Sequence, residues 1–472
     1  MKISAYNNLV NHADGVLLHN LISGGMVLLN DRNSLKYDSL TQGDFSDEDF
    51  VQKMKSLGFV VEDVDERIAM REQYEKVTNT KKNKGLFVVV TDRCNLGCHY
   101  CYEEKDQWIL MDKPTQEQVK SFAKNLVTET PTEYFGIQWF GGEPTMNVSA
   151  VKNLSLYFTE LCEEIGADFY QQMTTNGTTF SPQMADLLVN ELGIKKYQIT
   201  VDGFKEDHDK SRPYLADMDP EEMSAIQVTQ RKNLQPSFSL PIMGQAAPVP
   251  KKKSSYDVIM KNIDLLLSLG AAISLRMNVN SNTLPRVSLL LDELYKKGYF
   301  TENEKGGVLY AYASPIFDGC EGSYDTMSKE KFSEGMDKIR NWYLDRNLPY
   351  ESQNLLQFTG NTCTANKRYE YVVNADGSLC KCTHKIGMEE YTIGHVGDAG
   401  KLPDYKESPS VFNQFNPFED EECRTCEVLP ICMGGCKASN KVGENVDYES
   451  GCSTARFGLP GEIIDLYESK RR

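Results

Sequence analysis

The sequence predicts an α/β protein whose middle part is a parallel sheet curled into a barrel or partial barrel, and three observations carry that reading. Between residues 85 and 317, short apolar runs alternate with amphipathic helical patterns. Runs of this kind belong to parallel strands covered by helices on a face, so closure into a barrel buries both faces. Groups of unusual composition follow the strand ends directly, which is where sites on such sheets gather.

The first unit spans residues 1–83. A strand is expected over 3–10, and a hairpin over 15–30 turning at Gly24-Gly25. Residues 47–57 carry apolar side chains at helical spacing, with an acidic start and Gly58 as a stop. A charged helix over 66–77 and a polar linker over 78–84 follow. Sheet plus helices in so short a segment predicts a small winged-helix-like domain.

The second unit spans 84–320. Strands are predicted at 86–90, 137–140, 169–174, 197–201, 273–279 and 308–313, giving a (β/α)6 pattern. Helices fall between them at 116–128, 150–165, 182–191, 256–269 and 285–297. A stretch from 213 to 254 contains Pro236, Pro241, Pro248, Pro250 and Lys251–Lys253 without periodicity, and reads as a long loop. The third unit, 321–472, opens with a helix over 329–346 and ends in a cysteine-dense tail.

Composition narrows the function. Apolar residues are 40% and charged residues 25% of 472, which is ordinary for a globular chain. Acidic residues number 68 and basic ones 51, for a net charge of −17, which argues against a nucleic-acid partner. Neither a basic amino terminus followed by an apolar run nor an apolar stretch of about 18 residues is present, so a cytoplasmic chain without membrane contact is expected. Thirteen cysteines in reducing surroundings point to metal ligation rather than disulfides.

Three of those cysteines lie in Cys94-Asn95-Leu96-Gly97-Cys98-His99-Tyr100-Cys101. Three thiolates hold three irons of a four-iron cluster and leave the fourth iron open. Structural zinc asks for four ligands in separated pairs, and His99 is badly placed to be the fourth. Cys-x3-Cys-x-aromatic-Cys after a strand resembles the radical S-adenosylmethionine (SAM) superfamily, in which Tyr100 would lie beside the adenine. Gly141-Gly142-Glu143-Pro144 resembles that family's GGEP segment, which meets the methionine amino group; glycines there permit close backbone approach. The resemblance extends to Asn176 in Thr175-Asn176-Gly177, to Thr200 before Asp202-Gly203 with His208 and Arg212, and to Arg276 in Arg276-Met277-Asn278. It implies that Asn176, Thr200 and Arg276 contact ribose or methionine carboxylate; each could instead cap a turn or pair with a structural carboxylate.

The tail resembles the SPASM extension, which holds two auxiliary four-iron clusters. By that resemblance Cys423, Cys426, Cys432 and Cys452 ligate the outer cluster, and Cys363, Cys382 and Cys436 the inner one. The fourth inner position is left among Cys380, Cys320 and an open iron, with a buried thiol the other reading of Cys380. Cys162, inside a helix, reads as core. Residues 1–83 are similar to the winged-helix leader-recognition domain of peptide-modifying members, which adds an extended peptide to a sheet edge.

The resemblance implies a maturase of ribosomally made precursor peptides. It would use S-adenosylmethionine, three [4Fe–4S] clusters, one catalytic and two auxiliary, and a reductant such as flavodoxin or ferredoxin. The product would be an intramolecular crosslink, thioether or carbon–carbon, made through a 5′-deoxyadenosyl radical. One alternative is formylglycine formation as in anaerobic sulfatase maturases, which carry Asp directly after the inner-cluster cysteine; here Thr383 and His384 follow Cys382. A non-catalytic iron–sulfur electron carrier is the alternative of another class. No catalytic base is assigned.

Overall fold

The computed structural model describes residues 1–103, 108–217, 253–316, 327–350, 356–360, 363–398, 402–403, 416–436 and 452–471. Cys320 and most of the 213–254 stretch lie outside the described residues.

The chain opens with β1 (Lys2–Ile3), β2 (Asn7–His12), β3 (Gly15–Asn20) and β4 (Met26–Leu29). α1 (Asp31–Thr41), α2 (Glu48–Ser56), β5 (Val60–Val61) and α3 (Glu66–Thr78) follow. β2, β3 and β4 form an antiparallel sheet, and β1 pairs with β5. The strand expected over 3–10 is therefore broken. Ser4 donates its hydroxyl to Glu66 at 2.6 Å and the Ala5 amide donates to the same carboxylate at 2.9 Å, so residues 4–6 turn toward the start of α3 rather than continue the strand. α2 begins where the sequence placed it, because Asp47 accepts from the Phe50 amide at 3.1 Å.

Six parallel strands then alternate with helices. They are β6 (Asn83–Val89), β7 (Tyr134–Phe140), β8 (Asp168–Thr175), β9 (Lys196–Thr200), β10 (Ala272–Val279) and β11 (Val308–Pro315). α4 (Lys113–Thr128), α5 (Val148–Ile165), α6 (Pro182–Asp186), α7 (Lys205–Ser211), α8 (Ser255–Ser268) and α9 (Val287–Lys296) lie between them. This is a partial TIM-type barrel. Alternation along each strand sorts the faces. Ile273, Leu275, Met277 and Val279 are buried toward the helices, while Arg276 and Asn278 occupy the other, half-buried face. The helix expected over 182–191 changes pitch at Leu187, where the Leu192 amide reaches the Leu187 carbonyl five residues back.

The same sheet continues past β6 into β12 (Glu370–Val373), β13 (Ser378–Cys380) and β14 (Gly394–His395), in the order β11-β10-β9-β8-β7-β6-β12-β13-β14. β12 runs parallel to β6, and β13 returns antiparallel through a turn at Asp376-Gly377. Gly377 has φ +90°, which suits only glycine there. α10 (Lys329–Leu344), α11 (Leu429–Cys432) and α12 (Ala455–Arg471) complete the described helices of regular pitch.

Two compact units result. One holds Met1–Thr80, Ser328–Arg368 and Pro409–Arg472; the other holds Lys81–Met327 and Tyr369–Ser408. The first unit's core joins Tyr6, Leu17, Leu21 and Met70 to Val428, Leu429, Leu459 and Ile463. No helix among the described residues is long and apolar enough to cross a membrane.

Candidate functional site

The cysteine loop leaves the end of β6. Cys94 and Cys98 are buried and Cys101 is half-buried, packed with Leu96, Tyr100 and Tyr214. A strap over residues 211–215 runs antiparallel beside the loop. Gly97 donates to the Pro213 carbonyl at 2.9 Å, His99 to Ser211 at 3.2 Å, and Leu215 to Asn95 at 3.1 Å. Three thiols in a water-poor, backbone-fixed loop are a donor set that fits iron.

The Gly-Gly-Glu segment packs against the approach to that loop. An added Cβ at Gly141 would lie 2.2 Å from the Thr91 carbonyl oxygen, and one at Gly142 would lie 2.4 Å from both Asp92 and Arg93 oxygens. The glycines thus serve a close approach of backbone to backbone. Glu143 is fully buried, and burial raises its pKa. Its carboxylate accepts from the Asn176 amide at 2.7 Å, the Thr175 hydroxyl at 2.8 Å, the Thr145 amide at 3.1 Å and the Thr145 hydroxyl. The side chain therefore ties the end of β7 to the end of β8. Asn176 donates its amide to Asn95 at 2.9 Å and toward Cys94 Sγ at 3.6 Å, which sets it directly on the cysteine loop.

Thr200 is buried at the end of β9. Arg276 donates to Asn278 at 2.9 Å and to Ser314 at 3.0 Å. The Tyr100 hydroxyl donates to Asp202 Oδ2 and accepts from Arg212 at 2.7 Å and Asn278 at 3.0 Å. Burial raises the pKa of Asp202 and holds His208 neutral, well below its usual range. His208 Nδ1 accepts the Asp202 amide at 3.2 Å. Sequence reasoning noticed Asp202, His208, Arg212 and Asn278 without giving them a role, gave Tyr100 a ring role only, and missed Ser211. It also missed Tyr102, directly after Cys101, whose ring stacks on His384 at 4.3 Å and 5°. Burial first, then Arg276 and Lys385, pull His384 down to about 4.

In the tail, Cys423, Cys426, Cys432 and Cys452 line one pocket together with Glu422 and Arg456. Asp420 accepts from the Cys423 amide at 2.9 Å, and Arg456 donates to Cys452 Sγ at 3.1 Å. Among the described residues no three His, Cys, Asp or Glu side chains stand close enough together to hold a single metal ion; the four thiols share the lining of this pocket. Cys363 and Cys436 are exposed and belong to the same unit as these four, whereas Cys382 belongs to the barrel unit. Cys380 is fully buried among Val89, Val372, Ala375 and Ile386, and burial pushes its thiol up to about 11. Cys162 is likewise buried in α5.

Residues 88–222 match the Radical SAM superfamily. The chain is 21% identical over 371 residues to the serine-type anaerobic sulfatase-maturating enzyme of Klebsiella aerogenes, covering 75% of this chain and 79% of that one. Its fold matches native anSMEcpe with bound AdoMet and the Cp18Cys peptide, with TM-score 0.57 and 16% identity over 83% of this chain and 100% of that one. It also matches Streptococcus suis SuiB bound to precursor peptide SuiA, with TM-score 0.51 and 12% identity over 96% of this chain and 98% of that one.

Proposed function

We propose that this chain, which carries a radical SAM domain over residues 88–222, is a maturase that installs an intramolecular crosslink, thioether or carbon–carbon, in a ribosomally made precursor peptide. One observation carries the reading. The likeness to the structure holding a precursor peptide spans 96% of the chain, against 83% for anSMEcpe. Residues 1–83 act as the leader-recognition unit, and the β2–β4 sheet offers two edges, β2 and β4, to which a peptide strand can add.

Cys94, Cys98 and Cys101 hold a [4Fe–4S] cluster, and the ends of β7 to β10 hold S-adenosylmethionine. When bound, that pair supplies a 5′-deoxyadenosyl radical that takes a hydrogen atom from the peptide. The chain's own contribution is placement. Gly141, Gly142 and Glu143 brace the loop, Asn176 touches it, Thr200 and Tyr100 line the nucleoside side, and Arg276 offers a cation to a carboxylate. Cys423, Cys426, Cys432 and Cys452 hold an outer auxiliary cluster. The burial of Cys380 in an apolar cluster favours a packing role over ligation. A flavodoxin or ferredoxin in the cytoplasm supplies the electron.

Formylglycine formation is the second reading, favoured by the 75% coverage of this chain in its match to a sulfatase-maturating enzyme. Thr383-His384, in place of an acidic residue after Cys382, weighs against it. Co-expression with a short peptide encoded beside the gene separates the two. Loss of two hydrogens per crosslink from the peptide mass is expected, and this loss should disappear when residues 1–80 are deleted. An aldehyde on a sulfatase peptide, trapped by a hydrazide, with no change in the neighbouring peptide would favour the second reading.

A further inference from the structure

The strap over 211–215 does more than cover the cysteine loop. It brings Arg212, only 6% exposed, beneath Tyr100, whose hydroxyl is bound from three directions by Arg212, Asn278 and Asp202. Ser211 adds a bond to Asp202 Oδ2 at 2.7 Å. Tyr100 sits between Cys98 and Cys101, so fastening its hydroxyl fixes the ring that spaces two thiols. A buried guanidinium is costly unless compensated. Ser211 accepts from the His99 amide and Pro213 from the Gly97 amide, so Arg212 lies across from Cys98, and its guanidinium donates to Tyr100 of the same loop. Asp202 Oδ1 and Arg212 Nε find no hydrogen-bond partner among the described residues, so the two are not locked in a closed two-pronged pair. The positive charge remains directed at the loop, and an arginine does not lose it at any working pH.

We propose that Arg212 is a positioning residue of the cysteine loop with a second effect: its fixed charge beside Cys98 favours the one-electron-reduced state of the cluster held there. The inference rests on the proposed function. In the step concerned, one electron passes from reduced flavodoxin or dithionite to the cluster, and no bond forms or breaks. The reduced cluster carries one more negative charge, and a nearby cation in a water-poor wall stabilises that state over the oxidised one. Asp202, of opposite sign and bound to the same Tyr100 hydroxyl, opposes it.

The test is a redox titration of the anaerobically reconstituted full chain with bound S-adenosylmethionine, read by electron paramagnetic resonance, with iron content measured alongside. For Arg212→Gln, at least a tenfold smaller ratio of reduced to oxidised cluster at a fixed donor potential is expected, a fall of about 59 mV for one electron. Arg212→Lys keeps the charge and should restore most of the potential. Asp202→Asn removes the opposing charge and should shift the midpoint upward. Opposite shifts for Arg212→Gln and Asp202→Asn are the signature, because loosening the loop alone would move both in one direction. Midpoints of both variants equal to wild type, or displaced the same way, overturn the proposal. If Arg212→Gln fails to hold iron, Asp202→Asn decides alone: an upward shift supports the proposal and an unchanged or lowered midpoint refutes it. A wild-type chain that neither takes up iron nor cleaves S-adenosylmethionine would instead refute the functional reading beneath it.

Discussion

Replacing Gly142 with alanine should cripple the cysteine loop while leaving the barrel folded. Gly142 has no positive φ, so the effect is one of space alone. The new Cβ would meet the Asp92 and Arg93 carbonyl oxygens at 2.4 Å and the Arg93 carbonyl carbon at 2.6 Å. Ordinary contact begins near 3.4 Å, so residues 92–93 must retreat by about 1 Å. These are backbone atoms and cannot swing aside. They are also held by bonds from Gly142 to Thr91 at 3.0 Å and from Glu143 to Arg93 at 2.7 Å. Overpacking of this kind costs about 1–3 kcal/mol, which corresponds to a fall of about 2–4 °C in Tm for each kcal/mol in a unit near this size. Arg93 directly precedes Cys94, so the shift passes into the loop, and a misplacement of about 1 Å at a positioned reacting group costs on the order of 100-fold in rate. Single-turnover cleavage of S-adenosylmethionine and a thermal melt measure the two effects separately. Gly136→Ala, in the strand β7 that leads into this turn, is the control, since its Cβ would meet only the Lys84 oxygen at 4.0 Å. A Gly142→Ala chain with wild-type cleavage and wild-type Tm would refute the reasoning.

Glu143→Gln should lower stability by about 1–3 kcal/mol, because an amide cannot accept all the bonds that the buried carboxylate takes, and one N–H must then face another donor; an unchanged Tm would contradict this. His19, fully buried on β3 with neither ring nitrogen partnered among the described residues, is pulled down to about 4 by burial and then by Lys470. The unfolded chain takes up that proton near 6.5 and the folded chain only near 4, so its contribution is complete above about pH 6.5 and falls as pH drops toward 4, by about 3 kcal/mol over the whole shift. His19→Phe should flatten this part of the urea-midpoint profile, and parallel profiles for the two chains would count against it. Cys380→Ala should leave the iron content of the reconstituted chain unchanged and cost about 1 kcal/mol through the small cavity it leaves; loss of iron would make Cys380 a ligand after all.

The barrel was legible because each strand is an apolar run and each helix repeats its apolar residues every three or four positions. β12, β13 and β14 were not, since four, three and two residues are too few to show a period and they lie among cysteines that drew another reading. The break at residues 4–6 depended on Glu66, some sixty positions away. In the site, the cysteine motif and the strand-end groups could be named from the sequence. What each does depended on distance: Glu143 reads only as part of a cofactor-binding segment until Thr145, Thr175 and Asn176 are seen to occupy its carboxylate. The Tyr100 hydroxyl, likewise, acquires its partners only when the ends of β9 and β10 and the strap meet in space.

Counting 5′-deoxyadenosine against peptide modification decides whether this chain is a peptide maturase. The reconstituted, reduced chain is incubated with S-adenosylmethionine and the precursor peptide encoded beside it, and both products are quantified by mass spectrometry. The expected result is 5′-deoxyadenosine in step with a loss of two hydrogens from the peptide. Wild-type protein with its clusters intact that forms no 5′-deoxyadenosine, or forms it while the peptide mass stays fixed, would contradict the claim.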